Sequence, residues 1–484
     1  MRRRLLLGCL VALFLGLATP AAAQISRPNI VFVLTDDLSW NLVPYMPNVQ
    51  ALQREGMTFE RFVVTNSLCC PSRASILTGR YPHSTGVLTN MPPAGGFETF
   101  HMFEEWSTFA TSLQSAGYMT AMMGKYLNGY RPNWYTVPPG WTAWAVAGEA
   151  YEQFKYTMLV KEPGRLPEVV RHGNKPRDYL TDVINRRGQA FVASAVQASR
   201  PFLLELSTFA PHAPFEPAPR DALSFPALTA PRSSLFDAPQ LGAAPSWLPT
   251  SALSLRRIAR LDRDFRRRVQ SVQSVDKLVG DLRAQLRRLG VAENTYIVFA
   301  SDNGFHMGER RLTDGKQSAF DHDIRVPLIV AGPGVPASTR VGEITSNIDL
   351  RPTFQELGGA LTGPSIEGRS LVPFLRGQGP AGWRDRILIE HRHSNRLPGD
   401  PDRQGPGQGK PPSYHAVRFA DALYVEYENP RIKPEYYDLV VDPDERDNIF
   451  GTLTPERQGE LSDQLARLRT CEGAVSCQAA DQGA

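Results

Sequence analysis

The chain has 484 residues, 42% of them hydrophobic, with 53 basic and 49 acidic side chains and a net charge of +4. That length exceeds what one compact core usually holds, so two domains, or one large domain with an appendage, are expected. The charge balance excludes a protein that binds nucleic acid through a large positive field, and 40 Pro with 39 Gly point to ordered, site-bearing loops.

Residues 1–23 read as a signal peptide. Arg2-Arg3-Arg4 is a basic start, Leu5 to Leu17 is an apolar run too short to span a bilayer, and Ala21-Ala22-Ala23 is a small-residue cleavage site. No later segment is long and apolar enough for stable membrane insertion, so an exported protein, secreted or periplasmic, is expected. A main domain over 24–375 follows. Asn29 to Leu34 reads as a buried strand ending at Thr35-Asp36-Asp37, and Glu104 to Ala116 as a helix through Trp106, Phe109, Ala110 and Leu113. Tyr118 to Met123 is a strand ending at Gly124-Lys125, Val183 to Ser199 a helix, and Phe202 to Leu206 a strand. Pro211 to Pro249 is a Pro/Ala-rich loop. Arg266 to Leu289 is a long helix with Val269, Val272, Val275, Val279, Leu282 and Leu286 on one face.

Two further strands, Tyr296 to Ala300 and Pro327 to Val330, complete an α/β pattern around a mainly parallel sheet. Over 376–484 the pattern changes to short antiparallel strands (386–390, 414–419, 422–427) and a closing helix (455–469), a smaller C-terminal α+β domain. Asp36, Asp37, Lys125, Asp302 and Asn303 all follow strand ends, where open α/β sheets place ligands. Cys471 and Cys477 are spaced to close a small loop if the protein is exported, whereas the adjacent Cys69 and Cys70 are poorly placed to bridge each other.

Cys69-Cys70-Pro71-Ser72-Arg73-Ala74-Ser75-Ile76-Leu77-Thr78-Gly79-Arg80 sets a thiol and a guanidinium four residues apart around a proline suited to a first helical turn. Amides at that helix start, with Arg73, are expected to form an electropositive cup for an oxyanion. Asp36-Asp37 and Ser301-Asp302-Asn303-Gly304 are each ordinary turn or cap chemistry alone; together they offer oxygen ligands for a hard divalent cation.

Cys-x-Pro-Ser-Arg followed by Leu-Thr-Gly resembles the signature of the sulfatase family, and the Asp-Asp pair and distant Asp-Asn resemble its calcium ligands. The resemblance extends over most of the mature chain, and the Lys125-Tyr126-Leu127-Asn128 form is similar to the N-acetylglucosamine-6-sulfatase group; many other sulfatases have His where this chain has Leu127. It implies an alkaline-phosphatase-like sandwich and oxidation of Cys69 to formylglycine by a formylglycine-generating enzyme. It further implies Ca²⁺ held by Asp36, Asp37, the residue made from Cys69, Asp302 and Asn303, and hydrolysis of a sulfate ester of a small molecule or glycan. Arg73 is then expected to steady the formylglycine, Lys125 and Lys316 (in Asp314-Gly315-Lys316-Gln317) to bind the sulfate, and His212 (in Pro211-His212-Ala213-Pro214) to contact the sulfate and the leaving oxygen. His83 and Asn90 are expected to line the pocket. Two other readings stay open: a phosphonate monoester or phosphodiester hydrolase with the same apparatus, and a secreted glycan-binding protein that never acquires formylglycine.

Overall fold

The computed structural model describes residues 27–134, 136–393, 399–405 and 407–482. The expected signal peptide lies outside them. Among the described residues no helix is long and apolar enough to cross a membrane.

Ten strands form the central sheet: β1 (Asn29–Thr35), β2 (Met57–Val63), β3 (Met119–Lys125), β4 (Ala143–Gly148), β5 (Thr157–Lys161), β6 (Glu168–Arg171), β7 (Phe202–Ser207), β8 (Thr295–Ser301), β9 (Leu328–Ala331) and β10 (Thr339–Ser346). Their order is β10-β2-β9-β8-β1-β7-β3-β4-β5-β6. The block β8-β1-β7-β3-β4 is parallel throughout. β9 runs against it, and β5 and β6 add an antiparallel edge.

The β1 run Asn29–Thr35 is buried along its whole length, as a strand covered on both faces must be. On one face Val31 and Val33 share a core with the long helix Leu255–Arg288, whose buried stripe includes the six residues expected from periodicity, while Leu204 and Leu206 lie against Gly188 of the helix Leu180–Gln197. On the other, Ile30, Phe32 and Leu34 meet the helix Cys69–Thr78 and the helix Leu350–Gly358. That core continues through Ile387, Leu388 and Ile389 into a four-stranded antiparallel sheet of β11 (Arg386–His391), β12 (Tyr414–Phe419), β13 (Ala422–Tyr427) and β14 (Glu435–Asp438). The closing helix Pro455–Arg469 packs there, and Cys471 and Cys477 form a disulfide.

Two helices differ from expectation. The segment read as a helix from Glu104 becomes one only at Phe109, because Thr108 caps it in a reciprocal box with Thr111; Trp106 is 74% exposed rather than core. The long helix begins eleven residues before Arg266, at Leu255, where Ser254 caps the Arg257 amide.

Candidate active site

Four neighbouring parallel strands, β8, β1, β7 and β3, end at one edge of the sheet and deliver Asp302-Asn303, Asp36-Asp37, the loop to His212, and Lys125. Gly124 turns the β3 end: its φ is 107°, and a Cβ there would lie 1.9 Å from the Ser207 carbonyl oxygen. Lys125 is thereby aimed across β7 at β1, where its Nζ lies 2.6 Å from Asp36 Oδ2.

The helix Cys69–Thr78 points its first turn at the same edge, and all ten of its residues are buried. Gly79 ends it at φ 67°, where a Cβ would press on Arg351 and Ile366. The Cys69 thiol lies 3.2 Å from Asp36 Oδ1 and 2.9 Å from Lys316 Nζ. The expected amide cup is modified: the Cys70 N–H already donates to Asn90 Oδ1 at 3.0 Å, so Asn90 joins the site through the backbone. Arg73 works from behind the thiol. Its Nε bonds Asp302 Oδ2 at 2.7 Å, and its Nη1 bonds Ser207 Oγ at 2.5 Å and the Lys125 carbonyl at 3.1 Å.

Charge is balanced internally. Burial works against the Lys125 and Lys316 ammonium groups, but Asp36 beside the first, and Asp37 with Asp402 beside the second, hold both firmly protonated. Burial likewise opposes charge on His212, and Asp37, Asp36 and Asp402 overcome it, raising its pKa. Burial, reinforced by Asp36 and Asp402, pushes the Cys69 thiol well up, so as a thiol it is a poor nucleophile here. Asp302 stays ionised against its burial because Arg73, Lys125 and Lys316 face it.

One oxygen donor is unspent. Asn303 Nδ2 bonds Asp37 Oδ1 at 2.7 Å, yet its Oδ1 is buried with no hydrogen-bond partner among the described residues. Asp36, Asp37 and Asp302 bring carboxylate oxygens close to Cys69 Sγ, all within 4.8 Å of one another. This donor set fits a hard divalent cation.

The structure therefore gathers Asp36, Asp37, Cys69, Arg73, Lys125, His212, Asp302, Asn303 and Lys316 around one point. Asp402 joins them unforeseen: Oδ1 lies 2.9 Å from His212 Nε2 and 2.8 Å from Lys316 Nζ, and Asn90 Nδ2 donates to Oδ2 at 2.7 Å. Tyr151 also borders the site, with its ring 4.5 Å from that of His212. Asp402 follows Gly399-Asp400-Pro401, which reads as plain turn chemistry and gives no signal of its own. His83 lies elsewhere, bonded to Glu390 and the Cys471 carbonyl.

Residues 28–360 match the sulfatase family, and residues 308–471 match the N-sulphoglucosamine sulphohydrolase C-terminal family. N-acetylglucosamine-6-sulfatase of Homo sapiens is 35% identical over 93% of this chain and 86% of its own length. N-acetylglucosamine-6-O-sulfatase of Bacteroides thetaiotaomicron is 27% identical over 93% and 87%. In fold the chain is similar to a protein solved with its substrate D-glucosamine-2-N,6-O-disulfate (TM-score 0.76, 24% identity, 91% and 97% of the two chains). It is also similar to the phosphonate monoester hydrolase of Silicibacter pomeroyi (TM-score 0.70, 22% identity, 92% and 95%). With the sulfatase match spanning the helix Cys69–Thr78 and all four strand ends, this chain belongs to the sulfatase family and is a sulfuric ester hydrolase.

Proposed function

We propose that the protein hydrolyses sulfate monoesters of a sugar or glycan, with 6-sulfated glucosamine units as the first substrates to test. The observation that carries this reading is the convergence on residue 69: Lys316 Nζ at 2.9 Å, Asp36 at 3.2 Å, and an unspent Asn303 oxygen in the same cluster. The relatives named for N-acetylglucosamine 6-sulfate cleavage support the choice of sugar.

In this reading Cys69 is the precursor of formylglycine, and Asp36, Asp37, Asp302 and Asn303 are the ligands of Ca²⁺. The aldehyde hydrate would supply a hydroxyl nucleophile that can later expel sulfate, and the cation would supply positive charge beside it. The chain's own residues do the rest. Lys125 and Lys316 set two buried ammonium groups where charge accumulates on the sulfuryl oxygens. His212, held protonated by its carboxylate neighbours, delivers a proton to the departing alcohol. Arg73 keeps Asp302 in place from the sheet side. Cys69 is fully buried, so the oxidising enzyme must act before the fold closes. Export through residues 1–23 fits that order of events.

The similarity to a phosphonate monoester hydrolase gives one second reading, since the same fold carries either ester. The deciding experiment measures kcat/KM on glucosamine 6-sulfate, an aryl sulfate and an aryl phosphonate monoester, with and without a chelator and added Ca²⁺. Sulfate esters preferred, with loss on chelation and recovery on Ca²⁺, support the proposal. A preference for the phosphonate ester would establish the second reading instead.

A further inference from the structure

Two of the site's cations are already engaged by one of its own acids. Cys69, Lys125, Lys316 and His212 are all buried, and Asp402 reaches them from a turn whose neighbours Pro401 and Arg403 are exposed. Its carboxylate meets two groups that the functional reading gives to the substrate. Oδ1 lies 2.8 Å from Lys316 Nζ and 2.9 Å from His212 Nε2, and Oδ2 lies 3.4 Å from the Cys69 thiol.

Neither cation has a donor to spare. An ammonium carries three N–H groups, and Lys316 Nζ faces Asp37 Oδ1 at 2.6 Å and the Cys69 sulfur at 2.9 Å as well as Asp402. His212 Nδ1 lies 2.7 Å from the Ala213 carbonyl, which can only accept, so Nδ1 carries a hydrogen and Nε2 is the nitrogen left for a ligand. That nitrogen faces Asp402. Asp37 and residue 69 belong to the proposed cation site, so the contact an incoming ester can exchange is the one with Asp402. A sulfate monoester and a carboxylate are both anions, and in a buried site they repel strongly if they share one pair of donors. The turn itself is well seated. The Asp402 N–H donates to Asp400 Oδ1 at 3.0 Å, its carbonyl accepts from Gln317 Nε2 at 3.1 Å, and Asn90 Nδ2 donates to Oδ2 at 2.7 Å.

We propose that Asp402 sets the affinity of the site for anions: its carboxylate stands where the sulfuryl group of the ester binds, bridging Lys316 and His212, and the ester must displace it. Asp402 keeps both cations paired in the resting enzyme and yields them to the substrate. The competition favours a ligand whose several oxygens take both cations at once, and it helps to expel the sulfate product. The inference rests on the functional reading of Lys316 and His212 given above.

The test measures binding of inorganic sulfate by calorimetry to the matured full-length enzyme and to its Asp402→Asn and Asp402→Ala variants. KM on an aryl sulfate and the thermal midpoint are read alongside. Removing the rival charge should tighten sulfate binding by about tenfold and lower KM in parallel. A second measurement needs no variant. Saturating sulfate should speed amide exchange over residues 399–405 of the wild type, because the turn loses its hold on Lys316 and His212. Sulfate binding that is unchanged or weaker in the folded variants would overturn the proposal, even if kcat fell. Exchange left unchanged or slowed by sulfate would overturn it too. Variants that bind sulfate more tightly, beside a wild type that cleaves no sulfate ester, would support the competition and defeat the functional reading instead.

Discussion

Two clusters of buried charge in this molecule invite comparison. At the C-terminal closure, Arg384 grips Asp349 with two bonds, 2.7 and 2.8 Å, and Asp481 with a third at 3.0 Å. Asp349 also accepts the Ser346 and Arg369 amides, so its oxygens are fully used. At the strand ends, Asp36, Asp37, Asp302 and Asp402 crowd around Lys125, Lys316, Arg73 and His212, yet Asn303 Oδ1 and Arg73 Nη2 have no hydrogen-bond partner among the described residues. The first cluster engages both oxygens of Asp349 with Arg384 and two amides, and clamps Asp481 to the start of the helix Leu350–Gly358. The second keeps binding capacity in reserve, as the proposed site for a cation and an anionic ester requires.

Substitutions can separate the two. Cys69→Ala removes the proposed nucleophile from a site that otherwise stays intact; turnover should fall by a thousandfold or more, roughly the scale for a lost nucleophile, with little change in melting temperature. Lys316→Met should lower kcat by about 10²–10³, because it removes one proposed charge-stabilising group. Arg384→Met should do the opposite: a stability loss of about 3–5 kcal/mol in denaturant titration, from leaving the buried Asp349 carboxylate without a cation and Asp481 with Arg369 alone, with kcat per folded molecule unchanged. If Arg384→Met lowered kcat of the folded fraction, the two clusters would not be functionally separate.

Smaller effects sharpen the contrast. Asn303→Leu should weaken Ca²⁺ binding by at least about tenfold in calorimetry, since it deletes the unspent oxygen. His83, near the closure, is a pH probe. Burial opposes its charge, but Glu390 at 2.9 Å and the Cys471 carbonyl raise its pKa to about 9, with Glu367 adding to the pull and His415 also facing Glu390. A raised histidine stabilises fully below its ordinary value of 6.5 and loses that contribution as pH rises through about 9. The wild type should therefore lose about 1–2 kcal/mol across that interval, which His83→Gln should not, as urea titrations at both ends would show.

Most of the strand-end site was legible because its acidic residues follow buried apolar runs, as Asp36 follows β1 and Asp302 follows β8, and parallel strands bring such ends together. Asp402 was not, since a Gly-Asp-Pro-Asp turn advertises only a turn and its meeting with Lys316 is a long-range event. Strand β2 escaped notice because Glu60 and Arg61 interrupt its apolar pattern, and β10 because Arg340 and Glu343 do the same. The helix misplaced at Glu104 shows a cap overriding periodicity: Trp106 has the spacing of its neighbours, but Thr108 starts the helix after it. His83 illustrates proximity in sequence without proximity in space. It follows the helix Cys69–Thr78 closely but turns toward β11.

The central claim, that residue 69 becomes the sulfuryl acceptor only after oxidation, is tested most directly by peptide mass. Preparations with different degrees of maturation would be digested, the aldehyde fraction at residue 69 read by mass spectrometry, and each value set against sulfate released per mole of protein. Turnover should rise in proportion to the aldehyde fraction and vanish where only the thiol is present. Full activity in protein whose residue 69 is entirely thiol would contradict the account.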